Sequence, residues 1–120
     1  MGRARRSPAS RATTASYWTD WDEAGTSAIW RAPLAGGAIE RVYPPGEERL
    51  PGTWPIEVDG GYVYFANGGG LYRLPSAGGM VQRIQDGAIR GFALTRWGGH
   101  AWIYWTDLEL GGLVWRQRLD

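Results

Sequence analysis

The chain has 120 residues, 13 basic and 12 acidic, for a formal net charge of +1. This length allows one domain with a modest core, and the absence of cysteine excludes disulfides and thiolate metal sites. No stretch has the length of a membrane span, and no basic stripe runs through the body of the chain, which argues against membrane and nucleic-acid partners.

Residues 1–14 hold Arg3, Arg5, Arg6 and Arg11 and no acid. They lack the apolar run of a signal peptide and read as a disordered basic tail. The remaining residues carry nine arginines against twelve acids, so the body of the protein is mildly acidic. Short apolar segments then follow one another between turn residues. Strands are predicted at 15–19, 27–32 and 38–43, then at 54–58, 62–66, 70–74 and 80–84, and finally at 90–95, 101–106 and 113–118. Asp59-Gly60-Gly61 is a hairpin turn. Gly68-Gly69-Gly70 separates two further strands. Pro44-Pro45-Gly46 and Pro51-Gly52 bracket a longer loop. No helical period extends beyond two turns.

One phrase recurs along these strands. Its first copy is Tyr17-Trp18-Thr19-Asp20, then Trp30-Arg31-Ala32-Pro33, then Gly36-Gly37. Its second is Tyr64-Phe65-Ala66-Asn67, then Tyr72-Arg73-Leu74-Pro75, then Gly78-Gly79. Its third is Tyr104-Trp105-Thr106-Asp107, then Trp115-Arg116. The aromatic–Arg pair returns after 42 and then 43 residues, which marks a repeat architecture. Tyr62-Val63-Tyr64-Phe65-Ala66 and Ala101-Trp102-Ile103-Tyr104-Trp105 are apolar at consecutive positions. Successive side chains of a strand point to opposite faces, so these sheets must be covered on both sides. Small antiparallel sheets that cover one another at this period describe an all-β partial β-propeller of four-stranded blades. One complete blade (54–84) is flanked by two incomplete ones (15–43 and 90–118). The first lacks its inner strand and the last its outer one.

The Tyr-Trp-Thr-Asp phrases resemble the YWTD-type six-bladed propellers of lipoprotein-receptor ectodomains, and more closely their bacterial relatives. The resemblance covers about residues 15–120, with the middle copy departing to Tyr64-Phe65-Ala66-Asn67. It implies that Tyr17, Trp18, Tyr64, Phe65, Tyr104 and Trp105 pack between blades. It also implies that Asp20, Asn67 and Asp107 make strand-end or inter-blade hydrogen bonds. A six-bladed ring needs about 250 residues. The resemblance therefore implies either self-association through the open ends or a fragment of a longer protein, extracytoplasmic in that case.

Propeller topology brings the loops after the second and fourth strands to one end. There lie Asp20, Asp22, Glu23, Glu47, Glu48, Asp86, Asp107 and Glu109 against Arg49 alone. This acidic end is the candidate binding face, suited to a cationic protein partner. Asp20-Trp21-Asp22-Glu23 gathers three carboxylates but lacks the spacing of a calcium loop, and no metal or cofactor is assigned. His100 stands alone, and Ser16, Ser27 and Ser76 have no nucleophile-elbow context, so no catalytic residue is assigned. The expected function is a non-enzymatic interaction scaffold. The alternative is a propeller lectin completed by oligomerisation, with Trp21, Trp30, Trp97 and Trp115 stacking on sugar beside Arg31 or Arg116.

Overall fold

The computed structural model describes residues 5–6, 10–11, 15–44, 50–51, 56–67, 69–87, 89–107 and 113–120. Among them there is no helix, and the strands form antiparallel sheets, none closed on itself. The first sheet contains β1 (Arg5–Arg6), β2 (Ser10–Arg11), β3 (Ala15–Trp21), β5 (Ile29–Pro33) and β6 (Glu40–Tyr43). A two-residue pair, β4 (Thr26–Ser27) with β7 (Leu50–Pro51), stands apart. The second sheet runs β8 (Ile56–Asp59), β9 (Tyr62–Asn67), β10 (Gly70–Pro75) and β11 (Gln82–Asp86). The third runs β12 (Ile89–Trp97), β13 (His100–Asp107) and β14 (Leu113–Arg118).

Turn chemistry sets the register. β8 joins β9 and β12 joins β13 through two-residue turns, Gly60-Gly61 and Gly98-Gly99. All four glycines have positive φ, between 59° and 81°. A tight turn that matches strand twist needs positive φ at both central positions, which glycine adopts without a Cβ clash.

Alternation along β9 places its side chains in two different cores. Val63 and Phe65 join Ile56 and Leu74 against Tyr17, Ile29 and Val42 of the first sheet. Tyr64 and Ala66 join Leu71 against Ile89, Ile103 and Trp105 of the third. The second sheet is thus covered on both faces, as the consecutive apolar residues predict. Val63, Leu71 and Leu74 are fully buried. Burying each such side chain stabilises the fold by about 1.5–3 kcal/mol. The leading strands also meet: β8 contacts β2 and β3 on one side and β12 on the other.

The tail departs from expectation. β2 and β5 flank the same stretch of β3, with Ser10 opposite Tyr17 and Arg11 opposite Ser16. β1 continues along β3, with Arg5 opposite Trp21 and Arg6 opposite Asp20. The edge of β3 away from β5 is therefore paired by residues expected to form a disordered tail. The physical reason is β3's open edge, whose N–H and C=O groups need partners that any extended backbone can supply. The predicted strand at 27–32 also divides into β4 and β5, because Ala28 donates its N–H to the buried Asp20 carboxylate instead of joining a ladder (2.9 Å).

Candidate functional site

Each repeat places the tyrosine of its tetrapeptide directly across from the arginine of its aromatic–Arg pair. Tyr17 faces Arg31, Tyr64 faces Arg73 and Tyr104 faces Arg116. Cross-strand neighbours on one face lie close enough for their side chains to meet. Arg31 is anchored by Glu40, to which its Nε donates at 2.9 Å. The Glu40 carboxylate, with help from Tyr17, raises the Arg31 pKa above its ordinary value. Arg73 repeats the arrangement with Gln82 (2.8 Å) and with the Tyr64 hydroxyl (3.4 Å). Arg73 also lies 4.2 Å from the centre of the Tyr62 ring.

In the first repeat this pair holds the next sheet. The Tyr17 hydroxyl and Arg31 Nη1 both donate to the backbone carbonyl of Ser76, each at 2.9 Å. Ser76 belongs to the Pro75–Gly79 turn, whose Gly78 N–H closes on Pro75 O at 2.8 Å. Ala15, Tyr17, Arg31, Glu40, Ser76 and Ala77 line a groove of about 410 Å³ at this junction. Arg73 and Leu119 line the smaller equivalent, of about 150 Å³, between the second and third sheets. Ser76 N donates to Gly61 O at 2.8 Å, and Leu119 N donates to Ala101 O at 2.9 Å. Leu119 thus takes the place in the third repeat that Ser76 takes in the second.

The third copy of the pair faces outward, away from the core that joins the second and third sheets. Arg116 lies 4.6 Å from the centre of Trp102 and 5.5 Å from that of Trp97. The two indoles stack 5.4 Å apart at 12°. Trp97 Nε1 donates to the Tyr104 hydroxyl at 3.3 Å. Hydrogen bonding from Arg116, and then from Trp97, lowers the Tyr104 pKa below the ordinary phenol value. Trp97 and Val114 are exposed, and Trp102 Nε1 is covered but has no acceptor among the described residues.

A second cluster lies between the leading strands β8 and β12. Glu57 accepts the N–H of Leu94 at 3.0 Å, and Arg96 pairs with Asp59 at 3.0 Å. These residues line a cleft of about 440 Å³. Burial raises the Glu57 pKa, the Leu94 N–H opposes that, and Asp59 adds to it.

The residues of the predicted acidic face have separate settings. Asp20 is buried and accepts the Ala28 N–H. Asp22 accepts from the Ala24 and Thr26 N–H groups at 3.0 Å and from Thr26 Oγ1 at 2.9 Å, which fixes a turn. Glu23 is exposed, and Asp86 is exposed and paired with Arg83 at 2.8 Å. Asp107 ends β13, and nothing further is described of it. Glu47, Glu48 and Glu109 lie outside the described residues. Among the described residues no three His, Cys, Asp or Glu side chains gather as metal ligands. Of the four tryptophans considered for sugar, Trp30 belongs to the first sheet and carries Arg41 over its ring (5.1 Å). Trp97 and Trp115 stand on opposite faces of the third sheet. The side chain of Trp21 is outside the described set.

No family model, curated protein or solved structure matches the chain. Geometry alone therefore points to function. Sequence reasoning found the tyrosines and arginines separately but did not place them opposite each other, and it passed over Trp102, Glu57, Asp59 and Arg96 as site residues. The signal for the first was present: both residues recur in all three copies.

Proposed function

We propose that the chain is a partial YWTD-like β-propeller that works as a non-enzymatic interaction module, alone or as part of a longer propeller protein. The observation that carries this reading is the second sheet, four strands in chain order with both faces buried against neighbouring sheets. The contacts of β8 with β2 and β12 support it, because the leading strands of propeller blades converge on an axis. The tail strand pairing with β3 supports counting the first sheet as a four-position blade.

A binding role fits what the surface offers. The third sheet leaves a half-exposed indole, an arginine and a phenol on its outward face. Tryptophan, tyrosine and arginine are the residues that most often dominate binding energy at interfaces. Glu23 and Asp86 keep an acidic contribution at the strand ends. A nucleophilic mechanism has no comparable support. His100 Nδ1 lies 3.4 Å from Asp120, whereas Ser27 is buried and Ser76 contributes its carbonyl to the Tyr17–Arg31 pair. Among the described residues no hydrogen bond joins His100 to Ser16, Ser27 or Ser76.

The test is cross-linking in the source cell followed by mass spectrometry, with Arg116→Glu on the face and Glu23→Arg with Asp86→Arg on the loops. Proteins captured by the wild type should be lost from one of the two variants. An identical captured set in all three samples sinks the interaction reading. Binding on a glycan array that disappears in Trp97→Ala would move the assignment to the lectin alternative.

A further inference from the structure

We propose that the outward face of the third sheet seats the Pro33–Gly37 turn of a second copy of this chain, with Tyr104 and Arg116 donating to the Leu34 carbonyl. This rests on the repeat reading above and names the occupant of that face. The interface is already built once inside the molecule, where Tyr17 and Arg31 donate to Ser76 O across the junction of the first and second sheets. Tyr104 and Arg116 are the same cross-strand pair one sheet further on from Tyr64 and Arg73. Arg116 over Trp102 reproduces Arg73 over Tyr62. The donors are thus assembled and face outward.

The matching acceptor is also present and uncovered. Counting from the repeated arginine, Leu34 is to Arg31 what Ser76 is to Arg73. The two turns have one conformation: Gly36 and Gly37 have φ of 92° and 139°, and Gly78 and Gly79 have 93° and 142°. Gly36 N–H closes on Pro33 O as Gly78 N–H closes on Pro75 O. Within the chain the Ser76 turn lies in the groove of the preceding sheet, whereas Leu34 is 48% exposed. Donor pair and acceptor turn stand on different sheets of the same molecule, so one copy can satisfy another. The contact is heterologous: it uses two different surfaces and extends the stack in one direction until a ring closes.

The chain has no cysteine, so introduced thiols report single contacts. Ala15 and Ala77 line the internal groove, and their counterparts across two copies are Trp102 and Ala35, with Arg118 the counterpart of Pro33 beside them. One full-length chain carries Arg118→Cys, a second carries Ala35→Cys, and the two are mixed with a short bismaleimide. A double variant, Ala15→Cys with Ala77→Cys, is treated in parallel. Expected are a mixed dimer from the first pair and an internal bridge in the second. Adding Arg116→Glu to the Arg118→Cys chain should cut the mixed dimer at least tenfold. Circular dichroism should show that this variant stays folded, since Arg116 is exposed. An internal bridge without a mixed dimer overturns the proposal and leaves the repeat reading intact. A mixed dimer indifferent to Arg116→Glu overturns it as well. Absence of the internal bridge overturns the repeat reading and the proposal together.

Discussion

The same side-chain pair has two different consequences depending on what faces it. Tyr17→Phe removes one donor to Ser76 O in a part-buried junction. It should destabilise the protein by about 1 kcal/mol in urea denaturation, the usual worth of one intramolecular hydrogen bond. Tyr104→Phe removes the equivalent hydroxyl where no turn of the same chain is held and a long bond from Trp97 Nε1 (3.3 Å) is lost, so in dilute protein it should shift the urea midpoint less than Tyr17→Phe. Glu57 ties stability to pH. Burial raises its pKa above the ordinary 4.5, so in that range the folded chain binds a proton more tightly than the unfolded chain. Its contribution is present in full below 4.5 and is lost as pH rises through the folded value. Glu57→Gln keeps an acceptor for the Leu94 N–H and should flatten the rise in urea midpoint as the pH is lowered toward 4.5. Asp120 has the opposite sign. Despite some desolvation, the Ala101 N–H and His100 hold its pKa below the ordinary value, so its smaller, exposed contribution fades in acid.

At the level of the strands, the tightest point is the start of β10. A Cβ on Gly70 would lie 2.6 Å from the carbonyl oxygen of Gln85 on β11. Gly70→Ala should therefore cost about 1–3 kcal/mol, the penalty of overpacking against atoms that cannot yield. Leu71→Ala, at a fully buried neighbour, should cost about 2–5 kcal/mol by leaving a cavity. Thermal melts of the two variants beside Val114→Ala, at an exposed site, provide the comparison. Strand placement was largely readable because Gly-Gly and Pro turns punctuate the chain and the aromatic runs are apolar on both faces. What escaped were pairings that side-chain pattern does not encode. The tail joins β3 by ladder pairing, and its Arg, Ser and Ala residues give no period. Asp20 carries two expectations, and its bond to Ala28 fits the strand-end hydrogen bond while its burial removes it from the acidic face; a carboxylate before a turn has the same letter in either setting. The Tyr–Arg pairs were visible as recurring letters, but their spacing differs, with Arg73 nine positions after Tyr64 and Arg31 fourteen after Tyr17, which hid their register.

Across the whole molecule, order should fall from the middle outward. The second sheet is sheltered on both sides, while every residue of β14 is exposed. Hydrogen exchange read by mass spectrometry should show the amides of β9 exchanging slowest and those of β14 fastest. Equal protection in the two would mean that the sheets do not shelter one another as described. The radius of gyration, 14.4 Å, is close to the ~13.6 Å of a compact domain of this length. The turn that Tyr17 and Arg31 grip has a further meaning for how such a chain can change. Because the three sheets repeat one cross-strand Tyr–Arg pairing, its gene can grow by duplicating whole units. Stability should then climb by a nearly constant increment per added unit, as in a row of identical links.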